Sequence, residues 1–245
     1  MAKPGRTVVA SVLPELLSSD RIDVVIANAE NLAHGRGASV ETIREMMAAG
    51  VSYFTGGDHL FRQKGFDLAV GGLPVIRPAN YPGDVPGVGH MLIEVEGKGT
   101  LLLMNLMGRT FLNERLDNPF TKADQILDSY RTNNVSASLV DFHAESTSEK
   151  EALGYYLDGR VTALVGTHTH VPTCDCKTLP EGTLYVSDVG MTGNVDSVLG
   201  VRKDIIISSY LTGMNQKFEW EEKGKAEFRS VVIDTEEKTI KRLDR

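Results

Sequence analysis

The sequence has little of what marks secreted and membrane-bound proteins. Only two of its 245 residues are cysteines, Cys174 and Cys176, and a disulfide between residues this close would be strained. No apolar run reaches the roughly 18 residues that a membrane span needs. The first residues contain no apolar segment of a signal peptide. We therefore expect a cytoplasmic protein with reduced thiols and no membrane association.

The chain also lacks an excess of positive charge, since its formal net charge is −7. An acidic protein gains nothing from counterion release on long nucleic acid, so we expect no polymer of this kind as a partner. A small phosphate ester stays a candidate substrate if cations lie in the site. The content of hydrophobic residues, 41%, and of charged residues, 24%, is ordinary for a globular protein.

Helical and strand-like patterns alternate along the chain, with no internal repeat, low-complexity tract or linker. Apolar spacing and turn residues distinguish the two kinds of element. The predicted helices cover residues 7–17, 40–49, 60–70, 121–132, 146–157 and 204–210. The predicted strands cover residues 22–27, 51–55, 91–95, 100–105, 135–140, 161–165 and 183–187, followed by a closing hairpin of residues 218–222 and 226–233. We expect one α/β domain over residues 1–245.

Four predicted strands end in side chains that can bind a metal ion. The pattern Gly-Thr-His-Thr-His, residues 166–170, follows one of them. If strand geometry persists, His168 and His170 point to the same side, although two structural histidines explain a lone pair of this kind equally well. The candidates at the four ends are Glu30, Asn31, Asp58, His59, His143, His168 and His170. Ligands of open α/β sheets bind at the carboxyl edge, where these ends meet.

These seven candidates offer oxygen and nitrogen donors, a mixture that suits Mn²⁺, Fe²⁺ or Zn²⁺. They are more than one tetrahedral ion needs and match two ions that share a bridging carboxylate. Two ions about 3.5–4 Å apart can clamp a phosphoryl group and generate hydroxide at neutral pH. The pattern therefore predicts a dinuclear metal site.

Seven segments, taken together, resemble the calcineurin-like metallophosphoesterases and, within them, the bacterial YmdB-type phosphodiesterases. The segments are residues 28–35, 57–59, 77–80, 105–111, 141–150, 166–171 and 188–193. The resemblance covers nearly the whole chain. It implies a two-layer β-sandwich flanked by helices and a centre of two iron or manganese ions, with zinc as an alternative. The implied reaction is hydrolysis of small cyclic nucleotides, 2′,3′-cyclic monophosphates in particular.

The resemblance also implies roles for individual residues. It implies that Glu30 bridges the two ions. Asn31 and His170 would bind one ion, and Asp58, His143 and His168 would bind the other. His59 would protonate the leaving alkoxide or stabilise charge on the phosphoryl oxygens. His34, Arg77 and Arg109 are candidates for substrate binding, and a structural ion pair explains either arginine equally well.

Two features depart from the family pattern. The family usually has Asn where this chain has Asp58, and a carboxylate there binds metal well but repels a phosphate. The family also opens with a strand ending in Gly-Asp, whose Asp is a metal ligand, and this first strand is missing ahead of Met1. We expect that the start was assigned too late or that the protein lacks this ligand.

Three functions fit these observations. The first is a dinuclear phosphodiesterase acting on small cyclic nucleotides. The second is a metal-depleted, catalytically weak relative that regulates by binding a nucleotide or a partner protein. The third, a mononuclear hydrolase acting on another ester, accounts less well for Glu30 and Asn31 beside three histidines. We also expect a homo-oligomer.

Overall fold

The computed structural model describes residues 1–19 and 22–245. The helices are α1 (Ala2–Ser19), α2 (Val40–Ala48), α3 (Phe66–Ala69), α4 (Pro119–Ser129), α5 (Thr147–Tyr156) and α6 (Lys203–Thr212). The strands are β1 (Ile26–Asn28), β2 (Tyr53–Thr55), β3 (His90–Val95), β4 (Gly99–Met107), β5 (Val135–His143), β6 (Ala163–Thr167), β7 (Lys177–Thr178), β8 (Leu184–Val186), β9 (Gly193–Asn194), β10 (Ala226–Glu227), β11 (Val231–Asp234) and β12 (Thr239–Arg242).

Six strands form a central mixed sheet in the order β3-β4-β5-β6-β8-β7. β4, β5, β6 and β8 run parallel, and the edge strands β3 and β7 are antiparallel to their neighbours. Parallel strands need long crossover connections, which α4 provides between β4 and β5 and α5 between β5 and β6. The central strands are covered on both faces, which explains their nearly continuous apolar runs.

Helices cover one face of the central sheet, and short strands cover the other. α4 and α5 pack on the first face through a core that includes Ile126, Phe142 and Leu153. On the second face, β1 and β2 pack against β3 and β4, and β11 and β12 pack against β6 and β8. α1 and α2 form a fourth layer outside β1 and β2, through Leu16 and Met46. This order confirms the predicted fold class, a two-layer β-sandwich flanked by helices.

A cavity of about 1310 Å³ lies between the layers of the sandwich. Residues of β1, β5, β6 and β11 line its apolar part, among them Ile26, Leu139, Val165 and Ile233. Among the described strands, β1 pairs with β2 alone and β11 pairs with β12 alone. The cavity also reaches Glu30, beyond the carboxyl end of β1, and so connects the interior of the sandwich with the predicted site.

Two helix predictions were inaccurate. α1 begins at Ala2 and not at residue 7, because Pro4 is tolerated in the first turn of a helix. Of residues 60–70, only Phe66–Ala69 form an α-helix. The preceding residues form turns, in which the Arg62 N–H donates to the His59 carbonyl oxygen at 2.9 Å.

The predicted closing hairpin was wrong. Trp220 forms a single bridge with Val201, and β10 pairs with β9. The hairpin near the end of the chain joins β11 to β12. The Trp220 ring lies so close to Gly35 that a Cβ there would overlap it. Because the Trp220 ring packs here, residues 218–222 do not pair with residues 226–233 as a hairpin. No local sequence pattern indicates this packing.

Two expectations from the composition concern the cysteines and membranes. Cys174 and Cys176, both within the described residues, carry free thiols as predicted. No helix in the described part of the chain is both long and apolar enough to cross a membrane.

Candidate metal centre

The carboxyl ends of β1, β2, β5 and β6 meet at one edge of the sandwich. β1 leads into Glu30, β2 leads into Asp58, β5 ends at His143, and His168 follows β6. Parallel pairing sets His143 directly beside Thr167, the last residue of β6. Strand pairing therefore brings side chains from four distant parts of the sequence to one place.

Four of the predicted ligands converge on one point. One ligand atom each from Glu30, Asp58, His143 and His168 lies within 4.8 Å of the others. His143 Nε2 is 3.0 Å from His168 Nδ1, 3.2 Å from Asp58 Oδ1 and 3.3 Å from Glu30 Oε2. Four donors about 2.1 Å from one ion, at the corners of a tetrahedron, are about 3.4 Å apart. The donor types and their spacing therefore fit a transition-metal ion.

Gly57 leaves room for the converging side chains. A Cβ at this position would overlap Glu30 Oε2 and His143 Nε2. The turn is held by the Gly56 N–H, which donates to Asn105 Oδ1 at 3.0 Å. Glycine is therefore needed at position 57, because only a residue without a Cβ allows this close approach of backbone and ligands.

A chain of hydrogen bonds behind His143 sets which of its ring nitrogens faces the cluster. The Thr167 hydroxyl donates to Asp141 Oδ1 at 2.7 Å, and its oxygen lies 3.0 Å from His143 Nδ1. The hydroxyl has used its proton, so His143 Nδ1–H donates and the Nε2 lone pair faces the other donors. Burial raises the pKa of Asp141. The predictions did not include Thr167 or Asp141 in the site.

The loop after β6 departs from strand geometry, so the condition under which His168 and His170 were expected to alternate as in a strand is not met. His168 and His170 have φ values of 97° and 65°, a conformation that costs a residue other than glycine about 1–3 kcal/mol. Of the two, His168 belongs to the four-donor group. Its Nε2 lies 3.0 Å from Glu145 Oε2. Glu145 thus accepts the Nε2–H and leaves Nδ1 for an ion.

The carboxylates and imidazoles of this cluster alter each other's pKa. Burial by itself lowers the pKa of His143, but Glu30 and Asp58 raise it and the net shift is upward. Burial raises the pKa of Glu30. Burial also raises the pKa of Asp58, but the adjacent imidazoles of His143 and His168 outweigh this effect and hold the Asp58 pKa well below its usual range. A bound cation would relieve the repulsion between these two carboxylates.

Three further predicted residues border the four-donor group. Asn31 Nδ2 lies 3.4 Å from His59 Nδ1. His59 Nε2 lies 3.2 Å from Asp58 Oδ2, and the His59 side chain is 26% exposed. Burial lowers the pKa of His170 to about 4, and the neutral imidazole is the form that binds metals. Asn31 and His170 line the same cavity as Glu30.

The predicted substrate-binding residues have different surroundings. Arg77 donates to the carbonyl oxygens of Pro78 and Val85 at 2.8 and 3.2 Å, which is a structural role. Arg109 is exposed. His34 is also exposed and lines a separate cavity of about 280 Å³. Substrate binding by these three residues stays a prediction.

Replacing Thr167 by valine tests the bonds behind His143. The variant keeps the shape of the side chain but removes the hydroxyl that fixes the ring. We expect metal affinity to fall about 10–100-fold, as is typical when a group supporting a ligand is lost. Calorimetric titration with Mn²⁺ measures the change. Thr162→Val is the matched control, because its hydroxyl accepts from the Ser138 N–H within the sheet. Equal affinity in both variants would contradict this role of Thr167.

Comparisons with known proteins show the family of the chain. The family model described as "YmdB-like protein" matches residues 1–244. A Bacillus subtilis (strain 168) protein named "2′,3′-cyclic-nucleotide 2′-phosphodiesterase" is 40% identical over 242 residues, which are 98% of this chain and 90% of the relative. A "putative phosphatase/phosphodiesterase" of Mycoplasma genitalium is 36% identical over 89% of this chain and 78% of its own length.

Two solved structures resemble the fold over the full length of the chain. A hypothetical protein from Thermus thermophilus matches with a TM-score of 0.91 and 41% identity, covering 100% of this chain and 95% of that one. A structure titled as a novel phosphatase of Mycoplasma pneumoniae matches with a TM-score of 0.90 and 32% identity, covering 100% and 89%. Fold, motifs and sequence identity agree, and the chain belongs to the YmdB-like protein family.

Proposed function

We propose that this protein is a metal-dependent phosphodiesterase that hydrolyses small 2′,3′-cyclic nucleotides. The observation that carries the proposal is the convergence of Glu30, Asp58, His143 and His168 within 4.8 Å, at separations suited to one ion. The name and the 40% identity of the Bacillus subtilis relative support the substrate class. His59 borders this group, and its side chain is 26% exposed.

We propose two ions for the centre, iron or manganese. Asp58, His143 and His168 would hold the first ion, Asn31 and His170 would hold the second, and Glu30 would serve both. The shared cavity and the neutral imidazole of His170 support the second position. When bound, the ions would supply positive charge for the phosphoryl oxygens and a hydroxide at neutral pH.

His59 is proposed to donate a proton to the leaving oxygen. Its Nε2 lies 3.2 Å from the Asp58 carboxylate, and its side chain is partly exposed at the edge of the four-donor group. The His59 backbone N–H donates to Glu30 Oε2 at 3.1 Å. This bond fixes the position of residue 59 through the backbone, so the imidazole is not needed to hold the residue in place and can transfer a proton.

Removal of metal tests the proposed function. We expect the Mn²⁺-loaded protein to open 2′,3′-cyclic AMP to the 3′-monophosphate, and the chelator-treated protein to lose this activity. Chromatography of the nucleotides identifies the product, and elemental analysis gives the metal content. Added Mn²⁺ should restore activity. Turnover that persists after complete removal of metal, or a loaded protein inert on 2′,3′-cyclic nucleotides, would disprove the proposal.

Replacing Asp58 by asparagine tests the role of its charge. Asparagine keeps the carbonyl oxygen that faces His143 and His168, so we expect the metal to be retained. Activity should persist or rise, because a negative charge near the phosphate is removed. Elemental analysis and kcat/KM measure both effects, with Asp58→Ala as the control expected to lose metal. Lost activity with metal retained would show that the carboxylate has a further role.

The homo-oligomer stays a prediction. Helix α6 has no buried residue among those described, and Tyr210 and Leu211 are 88% and 80% exposed. Light scattering of the purified protein measures its mass. A monomeric mass at micromolar concentration would contradict the expectation.

A further inference from the structure

Lys150 and Asp188 form a buried ion pair behind the loop that carries His168 and His170. Lys150 Nζ lies 3.0 Å from Asp188 Oδ2, and the two residues are 0% and 1% exposed. Lys150 belongs to α5, and Asp188 lies two residues after β8. Neither belongs to the four-donor group. Charged side chains are rarely buried this deeply unless they are paired, so the pair needs an explanation.

The Asp188 carboxylate holds the loop through several hydrogen bonds. Its Oδ2 accepts from the Thr169 N–H at 3.0 Å and from the Thr169 hydroxyl at 2.7 Å. Its Oδ1 accepts from the Gly190 N–H at 2.7 Å. Thr169 lies between His168 and His170, so these hydrogen bonds from Thr169 to Asp188 fix the backbone between the two histidines. Lys150 supplies the positive charge that a buried carboxylate needs.

The loop needs such support because its conformation is unfavourable. His168 and His170 both have positive φ, and residues other than glycine keep this conformation only where the surroundings impose it. The segment around Asp188 provides those surroundings. The Met191 N–H donates to the His170 carbonyl oxygen at 2.9 Å. A Cβ at Gly166 would overlap the Ser187 carbonyl oxygen, so the two backbones are in direct contact.

We propose that Lys150 and Asp188 are positioning residues for the metal centre. They hold residues 168–170 in the strained conformation that turns the His168 imidazole toward the other three donors, and they contact neither ion nor substrate. This inference rests on the proposed metal-dependent function. The inference goes beyond that function because it states that metal affinity depends on the Lys150–Asp188 ion pair, which lies behind the loop.

The test is Mn²⁺ affinity in Asp188→Asn, measured by calorimetry. Asparagine keeps the shape of the side chain but removes the charge, and its NH₂ group can replace the acceptor that meets Lys150 and Thr169. We expect the Kd for Mn²⁺ to rise about 10–100-fold. Thr169→Val removes only the hydroxyl bond and keeps the ion pair, so its Kd should rise less. Lost activity should return at saturating Mn²⁺, because the reacting groups are intact.

Leu157→Ala separates positioning from general destabilisation. Leu157 is fully buried at the end of α5 and belongs to the helix-side core. This control should lower Tm and leave the Kd for Mn²⁺ unchanged. An Asp188→Asn protein that folds and binds Mn²⁺ with wild-type affinity would overturn the proposal. If Asp188→Asn does not fold, a wild-type Kd in Thr169→Val would overturn it.

The same titrations distinguish this inference from the proposed function. A wild-type protein that binds Mn²⁺ and hydrolyses the substrate, beside an Asp188→Asn protein with unchanged Kd, would disprove the positioning role alone. A wild-type protein that binds neither Mn²⁺ nor Fe²⁺ would disprove the metal-dependent function, and the positioning role with it.

Discussion

The His143→Ala variant is expected to lose the metal ion and nearly all activity. His143 Nε2 lies within 3.3 Å of ligand atoms from Glu30, Asp58 and His168, so its ring contacts every other donor of the group. Loss of a single group that stabilises charge costs about 10²–10³-fold in kcat. We expect a larger loss, because the whole ion goes with the ligand. Elemental analysis and kcat/KM measure the two effects.

His90→Ala is the matched control for this variant. His90 Nδ1 lies 3.0 Å from the Tyr130 hydroxyl oxygen, and its ring meets the Tyr130 ring edge to face. The same substitution there removes an imidazole and its packing but touches none of the four donors. It should retain metal and turnover. Normal metal content and turnover in the His143→Ala protein would show that the ion lies elsewhere.

The His59→Ala variant is expected to keep its metal and lose turnover. His59 is not one of the four converging donors, and its backbone bond to Glu30 survives the substitution. A positioned acid contributes about 10²–10⁴-fold, so kcat should fall by a factor in this range. Metal content should equal that of the wild type.

A diester with a p-nitrophenolate leaving group separates acid catalysis from other roles of His59. This leaving group needs no proton, so His59→Ala should slow its release much less than the opening of a 2′,3′-cyclic nucleotide. Equal losses on both substrates would contradict the role as an acid. A fall in metal content that matches the fall in activity would mark His59 as a ligand.

The positions of the candidate ligands could be predicted from the sequence because they follow strands. Period and turn signals locate a strand to within a few residues, and the carboxyl ends of parallel strands meet at one edge. This geometry placed Glu30, Asp58, His143 and His168 together before any contact was known. The same local rules failed for residues 218–222, where the Trp220 ring packs against Gly35.

The groups that support the ligands were decided by the tertiary structure alone. Thr167 and Asp141 fix the His143 ring, Glu145 holds His168, and Asp188 grips the loop after β6. No sequence spacing identifies a threonine, a carboxylate or a lysine as a group that supports a metal ligand. Its role arises when folding brings it within hydrogen-bond distance of a ligand or of the loop that carries one. The sequence by itself therefore determined where ligands could lie, and contacts between distant parts of the chain decided which of their atoms face one another.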